Sequence, residues 1–206
     1  LRHLRSAGLT LSSQNARALV SDWISLHGGT HPVSWEPAIA ARRVISWLTH
    51  SPLILQDSDH GFYRSYMRSL SRQVRFLNKV YPVTEDGHPR LLVSVALTFA
   101  GLCMAGEQRL LQQSAKRLIH ELRRQILSDG GHISRNPRTI IEILIDLLPL
   151  RQTFEARNIP VPAALETSIA RMIPMLRLLR LGDGSIAQFN GMGATPADML
   201  AAVLAY

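Results

Sequence analysis

Apolar residues recur at helical spacing along almost the whole chain of 206 residues, and this pattern restricts the fold more than any other feature. No convincing run shows the alternation that is expected of strands. Glycine and proline interrupt the pattern at intervals, as at Gly28-Gly29, Pro82 and Gly182, where such residues end helices. The sequence therefore predicts an all-α fold in which helices are joined by polar loops.

Eight helices are predicted, of two kinds that alternate along the chain. Four are amphipathic, with Arg or Lys on one face and Leu, Ile or Val on the other: Leu11–His27, His60–Val80, Gln108–Leu127 and Pro162–Leu181. Four are apolar nearly all round: Glu36–His50, Leu91–Ala105, Thr139–Arg151 and Pro196–Tyr206. The step Thr195-Pro196 is typical of a helix start. Helices of the apolar kind should lie inside the protein.

A polar loop leads from each amphipathic helix to the apolar helix that follows it. The four loops are Gly28–Trp35, Glu85–Arg90, Asp129–Asn136 and Asp183–Gly193. The last two both begin with Asp-Gly and carry an Asn seven residues after the Asp, at an offset of 54 residues. This is a weak internal repeat with the period of a helical hairpin and its loops.

Helical hairpins of this kind stack side by side, so that the loops leading from an amphipathic to an apolar helix all lie at the same end. The apolar helices would then form an inner layer that the amphipathic helices cover. The predicted architecture is an α/α toroid, complete or partial, formed by a single domain over residues 1–206. An open solenoid is the alternative, because the sequence does not show whether the ring closes.

The chain is strongly basic, with 23 Lys and Arg against 15 Asp and Glu, a net charge of +8 and a pI near 10.7. Such an excess favours a polyanionic partner: nucleic acid, an anionic membrane surface or an acidic polysaccharide. Only Lys79 and Lys116 are lysines, and the planar guanidinium of arginine pairs bidentately with carboxylate, sulfate or phosphate. The pairs Arg42-Arg43 and Arg123-Arg124 are interpreted as solvated faces or ion pairs between helices.

Several classes of site are not supported by any motif. The one cysteine, Cys103, cannot form an intrachain disulfide or a cysteine-based metal site. The sequence contains no HExxH, no paired histidine spacing and no glycine-rich nucleotide motif after a strand. We therefore predict no metal and no cofactor. No segment reaches the length of a transmembrane helix, and no signal peptide is visible.

The residues with the chemistry for binding or catalysis are concentrated in the four loops, which would lie at one end of the fold. They are His31, Trp35, Glu36, Glu85, Asp86, His88, Arg90, His132, Ser134, Arg135, Asn136, Gln188, Phe189 and Asn190. Loops on a rigid scaffold often carry function, although Asp, Asn and Gly also serve turns for backbone reasons. Trp35 is the candidate for stacking on a sugar ring, whereas Trp23 and Trp47 fall on apolar helix faces and are predicted to belong to the core.

The segment Asp129-Gly-Gly-His-Ile-Ser-Arg-Asn-Pro137 is the most informative loop. Its glycines allow close approach of the backbone, and its polar side chains precede a helix whose N-terminal N–H groups favour an anion. His132 and Arg135 are predicted to be functional. For Ser134 and Asn136 two interpretations stay open, a functional role and a structural one in which Asn136 caps the helix that begins at Pro137.

Four stretches resemble bacterial heparinase II/III family proteins. They are Ser34-Trp-Glu-Pro37 with Ala41-Arg-Arg-Val-Ile-Ser-Trp-Leu48, the segment Asp129–Pro137, Asp146-Leu-Leu-Pro-Leu-Arg-Gln152, and Gly182-Asp-Gly-Ser185 with Phe189-Asn-Gly-Met192. The resemblance covers essentially the whole chain and implies the helical N-terminal toroid domain of that family. In the family a β-sandwich domain follows, so the resemblance implies that this chain is part of a longer protein.

The resemblance also implies a reaction. Such enzymes cleave uronate-containing polysaccharides by β-elimination, in which a base removes the proton α to the uronate carboxylate and the 4-O-glycosidic bond breaks without water. The carboxylate must be neutralised, since the intermediate carries added negative charge. An Asn, His or Arg does this, and a Tyr or His moves the proton. The implied substrate is an acidic polysaccharide, and the implied location is the cell envelope or periplasm.

Carried over to this sequence, the toroid histidine of the family corresponds to His132, the carboxylate neutraliser or the base, and Arg135 and Asn136 share its role. The residues assigned to substrate binding are Trp35, Glu36, His88, Arg90, Gln188, Phe189 and Asn190. The catalytic tyrosine of the family is expected near Ala187–Asn190, where Phe189 stands instead and has no hydroxyl to transfer a proton. A second catalytic histidine would come from the β-sandwich domain.

Three hypotheses for the function follow. The first is a polysaccharide lyase, or its substrate-binding half, with an acidic oligosaccharide at the loop end. The second is a catalytically silent carbohydrate-binding or envelope-assembly protein on the same toroid, which the missing tyrosine favours. The third is a helical scaffold that binds nucleic acid or protein through a basic stripe along its helices. It is the least favoured, because arginines are spread over six of the eight predicted helices and aromatic residues make up only 6% of the chain. No nucleic-acid partner is therefore predicted.

Overall fold

A computed structural model of the chain describes residues 9–29, 32–193 and 197–205. Within these ranges the regular structure is helical, and extended backbone pairs only in two isolated β-bridges. The all-α class predicted from the sequence is thus confirmed. His31 and the predicted helix start at Thr195-Pro196 lie outside the described residues. The chain divides into two compact units, residues 1–84 and 85–206.

The first unit contains four described α-helices. They are α1 (Leu9–His27), α2 (Pro37–Thr49), α3 (Ser51–Leu55) and α4 (His60–Val80), and a 3-10 turn (Tyr81–Val83) follows α4. Asp59 caps α4, since its carboxylate accepts the backbone N–H of Phe62 at 2.8 Å. α4 packs against α1 and α2, and its buried face includes Tyr66, Leu70 and Leu77.

The second unit contains five described α-helices. They are α5 (His88–Cys103), α6 (Gln108–Gln125), α7 (Pro137–Ala156), α8 (Ala163–Leu178) and α9 (Ala197–Leu204). α5 lies against α6 and α7, and α7 also lies against α8 and α9. Every residue of α5 from Leu91 to Leu102 is buried. α5 is therefore an inner helix, as its apolar sequence predicts.

α5 and α6 approach each other closely at Gly101. A Cβ atom added there would lie 2.7 Å from the Cα atom of Leu111, so only glycine fits between the two backbones. Leu118 and Leu122 of α6 are fully buried in the same unit. Each such side chain contributes about 1.5–3 kcal/mol by its removal from water.

The observed helices differ from the predicted ones mainly at their ends. α6 ends at Gln125, two residues earlier than predicted, because Ile126 is extended and forms a β-bridge with His132. α7 runs on to Ala156, five residues further than predicted, since its apolar spacing continues to the buried Phe154. Helix α3 and the 3-10 turn were not predicted, because each is too short to show a period. No described helix is long and apolar enough to cross a bilayer.

Candidate functional site

Two polar loops of the second unit begin with the same backbone structure. They are residues 126–136, named the His132 loop, and residues 180–190, named the Ile186 loop. An antiparallel β-bridge closes each of them, between Ile126 and His132 in the first and between Arg180 and Ile186 in the second. The two bridges are 54 residues apart, the offset that the sequence repeat shows.

An Asp-Gly step forms the turn inside each loop. Asp129 and Asp183 each accept the backbone N–H of the residue two positions later, at 2.8 and 2.9 Å. The glycine after each Asp is left-handed, with a φ of 86° at Gly130 and 85° at Gly184. The repeat in the sequence is thus a repeat of structure, and both aspartates serve turns.

His132 lies inside the second unit and is only 2% exposed. Its Nδ1 atom accepts the backbone N–H of Ser134 at 3.1 Å, so the proton of the neutral ring sits on Nε2. Nε2 lies 2.9 Å from Oε1 of Gln125 and donates to it. Both ring nitrogens are therefore bonded within the protein. The corresponding residue of the other loop is the buried Ile186, which identifies this position as part of the core.

Gln125 connects the His132 loop to a buried polar network. Its Nε2 atom donates to a backbone carbonyl just before α5, at 2.9 Å, and to Oε2 of Glu121, at 2.7 Å. Glu121 is 1% exposed and also accepts from Arg124 at 2.8 Å. Arg124 in turn binds both carboxylate oxygens of Asp86. This pairing lowers the pKa of Asp86 below its usual range and raises the pKa of Arg124.

The pKa of His132 is lowered to about 4, first because burial disfavours the charged ring and second because His88 lies nearby. His132 is therefore neutral at physiological pH. Its one ring N–H points to Gln125, so the ring offers no proton at the loop surface. His88 itself, the first residue of α5, has its Nδ1 atom 3.9 Å from a carboxylate oxygen of Glu142.

Arg135 and not His132 occupies the exposed part of the His132 loop. Arg135 has a left-handed backbone with a φ of 55°, and its guanidinium pairs with Asp129 at 2.6 Å. Asn190 of the Ile186 loop donates its Nδ2 proton to the backbone carbonyl of Arg135 at 3.1 Å, which joins the two loops. The ring of Phe189, next to Asn190, is 42% exposed.

Asn136 and Arg138 lie at the N-terminus of α7, directly after the His132 loop. The side-chain oxygen of Asn136 accepts the N–H of Arg138 at 2.9 Å, so Asn136 is the N-cap of α7. Arg138 pairs with Glu142 one turn later, at 2.9 Å, and its side chain is 46% exposed. The exposed groups at this end of the second unit are named the loop surface: Arg135, Arg138, Phe189 and Asn190.

Arg90 and Gln188, two other predicted binding residues, also belong to the second unit. Arg90 pairs with Asp86 at 3.7 Å across one turn of α5. Gln188 is exposed in the Ile186 loop, next to Phe189. Among the residues that the structure describes, no group of three His, Cys, Asp or Glu side chains is arranged to hold a metal ion.

Trp35 and Glu36 belong to the first unit. Trp35 is half-buried, and its Nε1 atom donates to the backbone carbonyl of His27 at 3.1 Å. Its ring lies edge-on to Phe76 with the centroids 5.1 Å apart, and the guanidinium of Arg72 is 5.3 Å from its centroid. Glu36 is exposed at the N-cap position of α2. Sugar stacking on Trp35 stays a prediction.

An aromatic cluster around Trp35 includes Trp23 and Trp47, whose rings meet edge-on at 5.5 Å. Arg43 lies over Trp23, 3.9 Å from its centroid, and donates to Gln73 at 2.6 Å and to the carbonyl of Ser34 at 2.9 Å. Burial lowers the pKa of Arg43 to about 10. The interpretation of Arg43 as solvated or ion-paired is therefore wrong, since its partners are an aromatic ring and neutral oxygens.

Sequence reasoning missed Glu121 and Gln125, which hold His132 in place. Both lie on the face of α6 that also buries Leu118 and Leu122. Polar residues one turn apart on the apolar face of an amphipathic helix are the signal that points to such a network, because buried polar groups need partners.

Comparison with solved structures shows which fold this is. Heparan sulfate lyase HepC from Pedobacter heparinus matches with a TM-score of 0.62 and 20% identity, over 85% of this chain and 29% of that protein. Heparinase III matches with a TM-score of 0.68 and 18% identity, over 82% of this chain and 27% of that protein. At such identities the likeness shows the fold alone. The described part of the chain resembles the helical toroid of heparinase III, as predicted.

Comparison by sequence gives a different relative. FtsZ-localized protein C of Caulobacter vibrioides (strain NA1000 / CB15N) is 31% identical over 196 residues, which are 94% of this chain. The chain spans about a third of that relative's length (34%). No protein-family profile matches the chain.

Proposed function

We propose that this chain is a heparinase II/III-like domain that binds an acidic polysaccharide at the loop surface and does not cleave it. The position of His132 carries the proposal. Its ring is buried and bonded at both nitrogens, while Arg135 and Phe189 are exposed. The fold of heparan sulfate lyases, to which this chain is similar, supports the choice of ligand. The β-sandwich domain that the family resemblance implies stays a prediction.

The loop surface has the groups that an acidic sugar needs. Arg135 and Arg138 pair with Asp129 and Glu142, but all four side chains are partly exposed, and such ion pairs contribute only about 0–1 kcal/mol. A sulfate or carboxylate of a ligand can therefore take the place of the Asp129 and Glu142 carboxylates as the partner of these arginines. The exposed ring of Phe189 offers an apolar face to a sugar ring.

The same geometry argues against β-elimination by residues of the loop surface. Elimination needs a proton acceptor at the substrate and a donor to its carboxylate. His132 donates to Gln125 and accepts from Ser134, so it serves neither purpose in this arrangement. Phe189, at the place expected for the catalytic tyrosine, carries no ionisable group. These observations support the catalytically silent hypothesis over the lyase hypothesis.

Calorimetric titration with heparan sulfate and alginate oligosaccharides tests the binding. We expect the variant Arg135→Ala/Arg138→Ala to bind about tenfold more weakly, equal to about 1.4 kcal/mol. The matched control is Arg171→Ala/Arg177→Ala, which removes two exposed arginines of α8 and should bind as the natural chain does. Equal affinity of the loop variant and the natural chain would overturn the assignment of the site.

An ultraviolet absorbance assay tests the absence of cleavage, because β-elimination leaves an unsaturated uronate that absorbs ultraviolet light. The full-length protein should produce no such product from heparan sulfate, alginate or other uronate polymers. Product that appears with the natural protein and disappears with His132→Ala would establish a lyase and refute the silent role.

A second candidate function rests on the similarity to FtsZ-localized protein C, which extends over 94% of this chain. We propose that the full-length protein likewise localises with FtsZ, at the cell envelope where division takes place. A fluorescent fusion of the full-length protein should form a midcell band that coincides with labelled FtsZ. A fusion spread evenly through dividing cells would contradict this role.

A further inference from the structure

Helix α4 exposes a line of five basic side chains, named the α4 stripe. They are Arg64, Arg68, Arg72, Arg75 and Lys79, and all five are exposed. At 100° per residue they fall within an arc of roughly 80°, and the line is about 22 Å long. α4 contains no Asp or Glu over its 21 residues. The face is therefore uniformly positive.

The positive charge of the chain is concentrated in the unit that contains this helix. Residues 1–84 hold ten Lys and Arg against four Asp and Glu, a net charge of +6 out of +8 for the whole chain. The α4 stripe supplies half of those ten basic residues. An electrostatic field of this kind attracts an extended polyanion to the first unit.

In α7 the arginines pair with glutamates one turn later, which is the usual arrangement on an exposed helix face; α4 has no such pairs. Arg138 pairs with Glu142 and Arg151 with Glu155, each one turn later along the helix. Oppositely charged pairs at this spacing stabilise a helix by about 0.2–0.5 kcal/mol each. A solvated helix face is normally balanced in this way.

In α4 the residue one turn later is again basic. Arg64 precedes Arg68, Arg68 precedes Arg72, and Arg75 precedes Lys79. Like charges at this spacing destabilise a helix by similar amounts. None of the ion pairs between described residues includes a member of the stripe. A ligand with negative charges along a line would remove this repulsion.

Another outer helix, α6, shows that the stripe is more than an ordinary basic face. α6 exposes Arg109, Lys116 and Arg123 at intervals of seven residues, which is about 10 Å along a helix. The other exposed arginine of α6, Arg124, is paired with Asp86 and Glu121. The members of the α4 stripe follow each other every three or four residues, at about half that distance. α4 therefore offers the denser row of charge.

We infer that the α4 stripe is a second binding surface for a linear acidic polysaccharide, in addition to the loop surface. The class of ligand rests on the proposed function, whereas the surface itself rests on α4. Four of the five side chains are arginines, whose fork pairs bidentately with carboxylate or sulfate. A linear uronate polymer carries such groups in every repeat, so one stretch of chain can contact several arginines at once.

Nucleic acid is the competing polyanion, and the rest of the exposed face of α4 does not favour it. The exposed residues of α4 include no Asn or Gln, the side chains that bind adenine edges. Tyr63, 44% exposed, is the one large aromatic exposed on this helix, whereas proteins that bind single strands stack several bases on aromatic side chains.

A double variant that reverses two charges of the α4 stripe tests the inference. The natural 206-residue chain and the variant are each titrated with heparan sulfate oligosaccharides. Arg68→Glu/Arg75→Glu should weaken binding at least tenfold and reduce its salt dependence. Arg72 is left unchanged, because it bonds to the carbonyl of Gly28 and contacts Trp35. The control Arg171→Glu/Arg177→Glu makes the same change of net charge on α8 and should change affinity less than twofold. Equal losses in both variants would mean that affinity follows net charge, which overturns the stripe.

The variant Arg135→Ala/Arg138→Ala separates this inference from the proposed function. If that variant binds normally and the stripe variant does not, the loop surface is refuted and the stripe stands. If only the loop variant loses affinity, the stripe is refuted. The neutral variant Arg68→Gln/Arg75→Gln should show a smaller loss than the charge reversal. Far-UV circular dichroism confirms that each variant is folded before its affinity is compared.

A mixed-sequence DNA duplex and vesicles that contain anionic lipid serve as the competing ligands. The stripe inference predicts that Arg68→Glu/Arg75→Glu loses oligosaccharide affinity whatever happens to the other two. Unchanged oligosaccharide affinity, together with lost binding to the duplex or to the vesicles, would assign the stripe to another partner and overturn the inference.

Discussion

The Oε1 atom of Gln125 accepts the Nε2 proton of His132 at 2.9 Å, and both residues are buried. The amide protons of Gln125 are used on a backbone carbonyl and on a carboxylate, so the orientation of the amide is determined, and with it the tautomer of the histidine. In the Ile186 loop the corresponding residues are Leu179 and Ile186. This pair of positions is thus polar at the His132 loop and apolar at the Ile186 loop.

The apolar pair of the Ile186 loop suggests a double-mutant cycle. Gln125→Leu alone leaves the Nε2 proton of His132 unpaired, and His132→Ile alone leaves the Oε1 atom of Gln125 unpaired. Each should lower the free energy of unfolding by about 1–3 kcal/mol. The double variant should lose about 1–2 kcal/mol less than the sum of the two. Urea unfolding measures all three, and strictly additive losses would contradict the coupling. Gln113→Leu, at an exposed position of α6, should cost less than about 0.5 kcal/mol.

The lowered pKa of His132 predicts a dependence of stability on pH. The folded pKa is about 4, whereas an unfolded histidine titrates near 6.5. Between these values the unfolded chain binds a proton that the folded chain does not, so stability falls as the pH falls through this window. The loss reaches about 3 kcal/mol near pH 4, and above about pH 6.5 there is none.

The double variant Gln125→Leu/His132→Ile serves as the reference for the pH measurement. The difference between its unfolding free energy and that of the natural chain isolates His132 from the other histidines. We expect this difference to change between pH 6.5 and 4 and to stay constant above that window. A difference that is constant over the whole range would show that the histidine titrates normally in the folded state.

Gly130 and Gly184 provide a matched pair of substitutions in the two loops. Both have a left-handed backbone, so Ala costs about 1 kcal/mol at each for conformation alone. At Gly130 the new Cβ would also lie 2.1 Å from the backbone oxygen of Arg171, whereas at Gly184 its nearest neighbour is a flexible arginine side chain at 3.5 Å. Gly130→Ala should therefore destabilise the chain by roughly 3 kcal/mol or more, and Gly184→Ala by about 1. Thermal unfolding compares them, and equal losses would refute the close contact with α8.

Arg43 should contribute to stability through its position over Trp23. Arg43→Ala removes a cation–π contact and two hydrogen bonds to neutral oxygens, and we expect a loss of about 2–3 kcal/mol. Tryptophan fluorescence should shift in the folded state, because the charge above Trp23 is gone. Arg64→Ala, at an exposed position of α4, should leave stability within about 0.5 kcal/mol and fluorescence unchanged. An unchanged spectrum for Arg43→Ala would contradict the contact.

Local patterns predicted a large part of the fold correctly. The bounds of α4, His60–Val80, agree with the structure, because the apolar period is regular and Asp59 provides a cap within three residues of its target. For α5 the nearly continuous apolar sequence predicted an inner helix correctly, although the helix begins at His88, three residues earlier than predicted, and ends at Cys103, two residues earlier. The offset of 54 residues between the two Asp-Gly loops also marked a repeat of structure, since an Asp-Gly turn depends only on the next few residues.

The candidate site was predicted less completely, because its residues depend on distant partners. Arg135, Asn136, Phe189 and Asn190 were expected in neighbouring loops, and the hydrogen bond from Asn190 to the carbonyl of Arg135 joins those loops. His132 stands in a polar, Gly-rich segment that suggests exposure. Its burial was not predictable from that segment.

The helices, their inner or outer kind and the turns between them follow from the sequence alone. Each of these depends on residues within one or two helical turns. The burial of His132 against Gln125 and the position of Arg43 over Trp23 depend on packing between distant segments. The side chain of a loop histidine or a helix arginine can face solvent or core equally well. The packing of elements that are far apart along the chain determines whether such a side chain faces the solvent or the core.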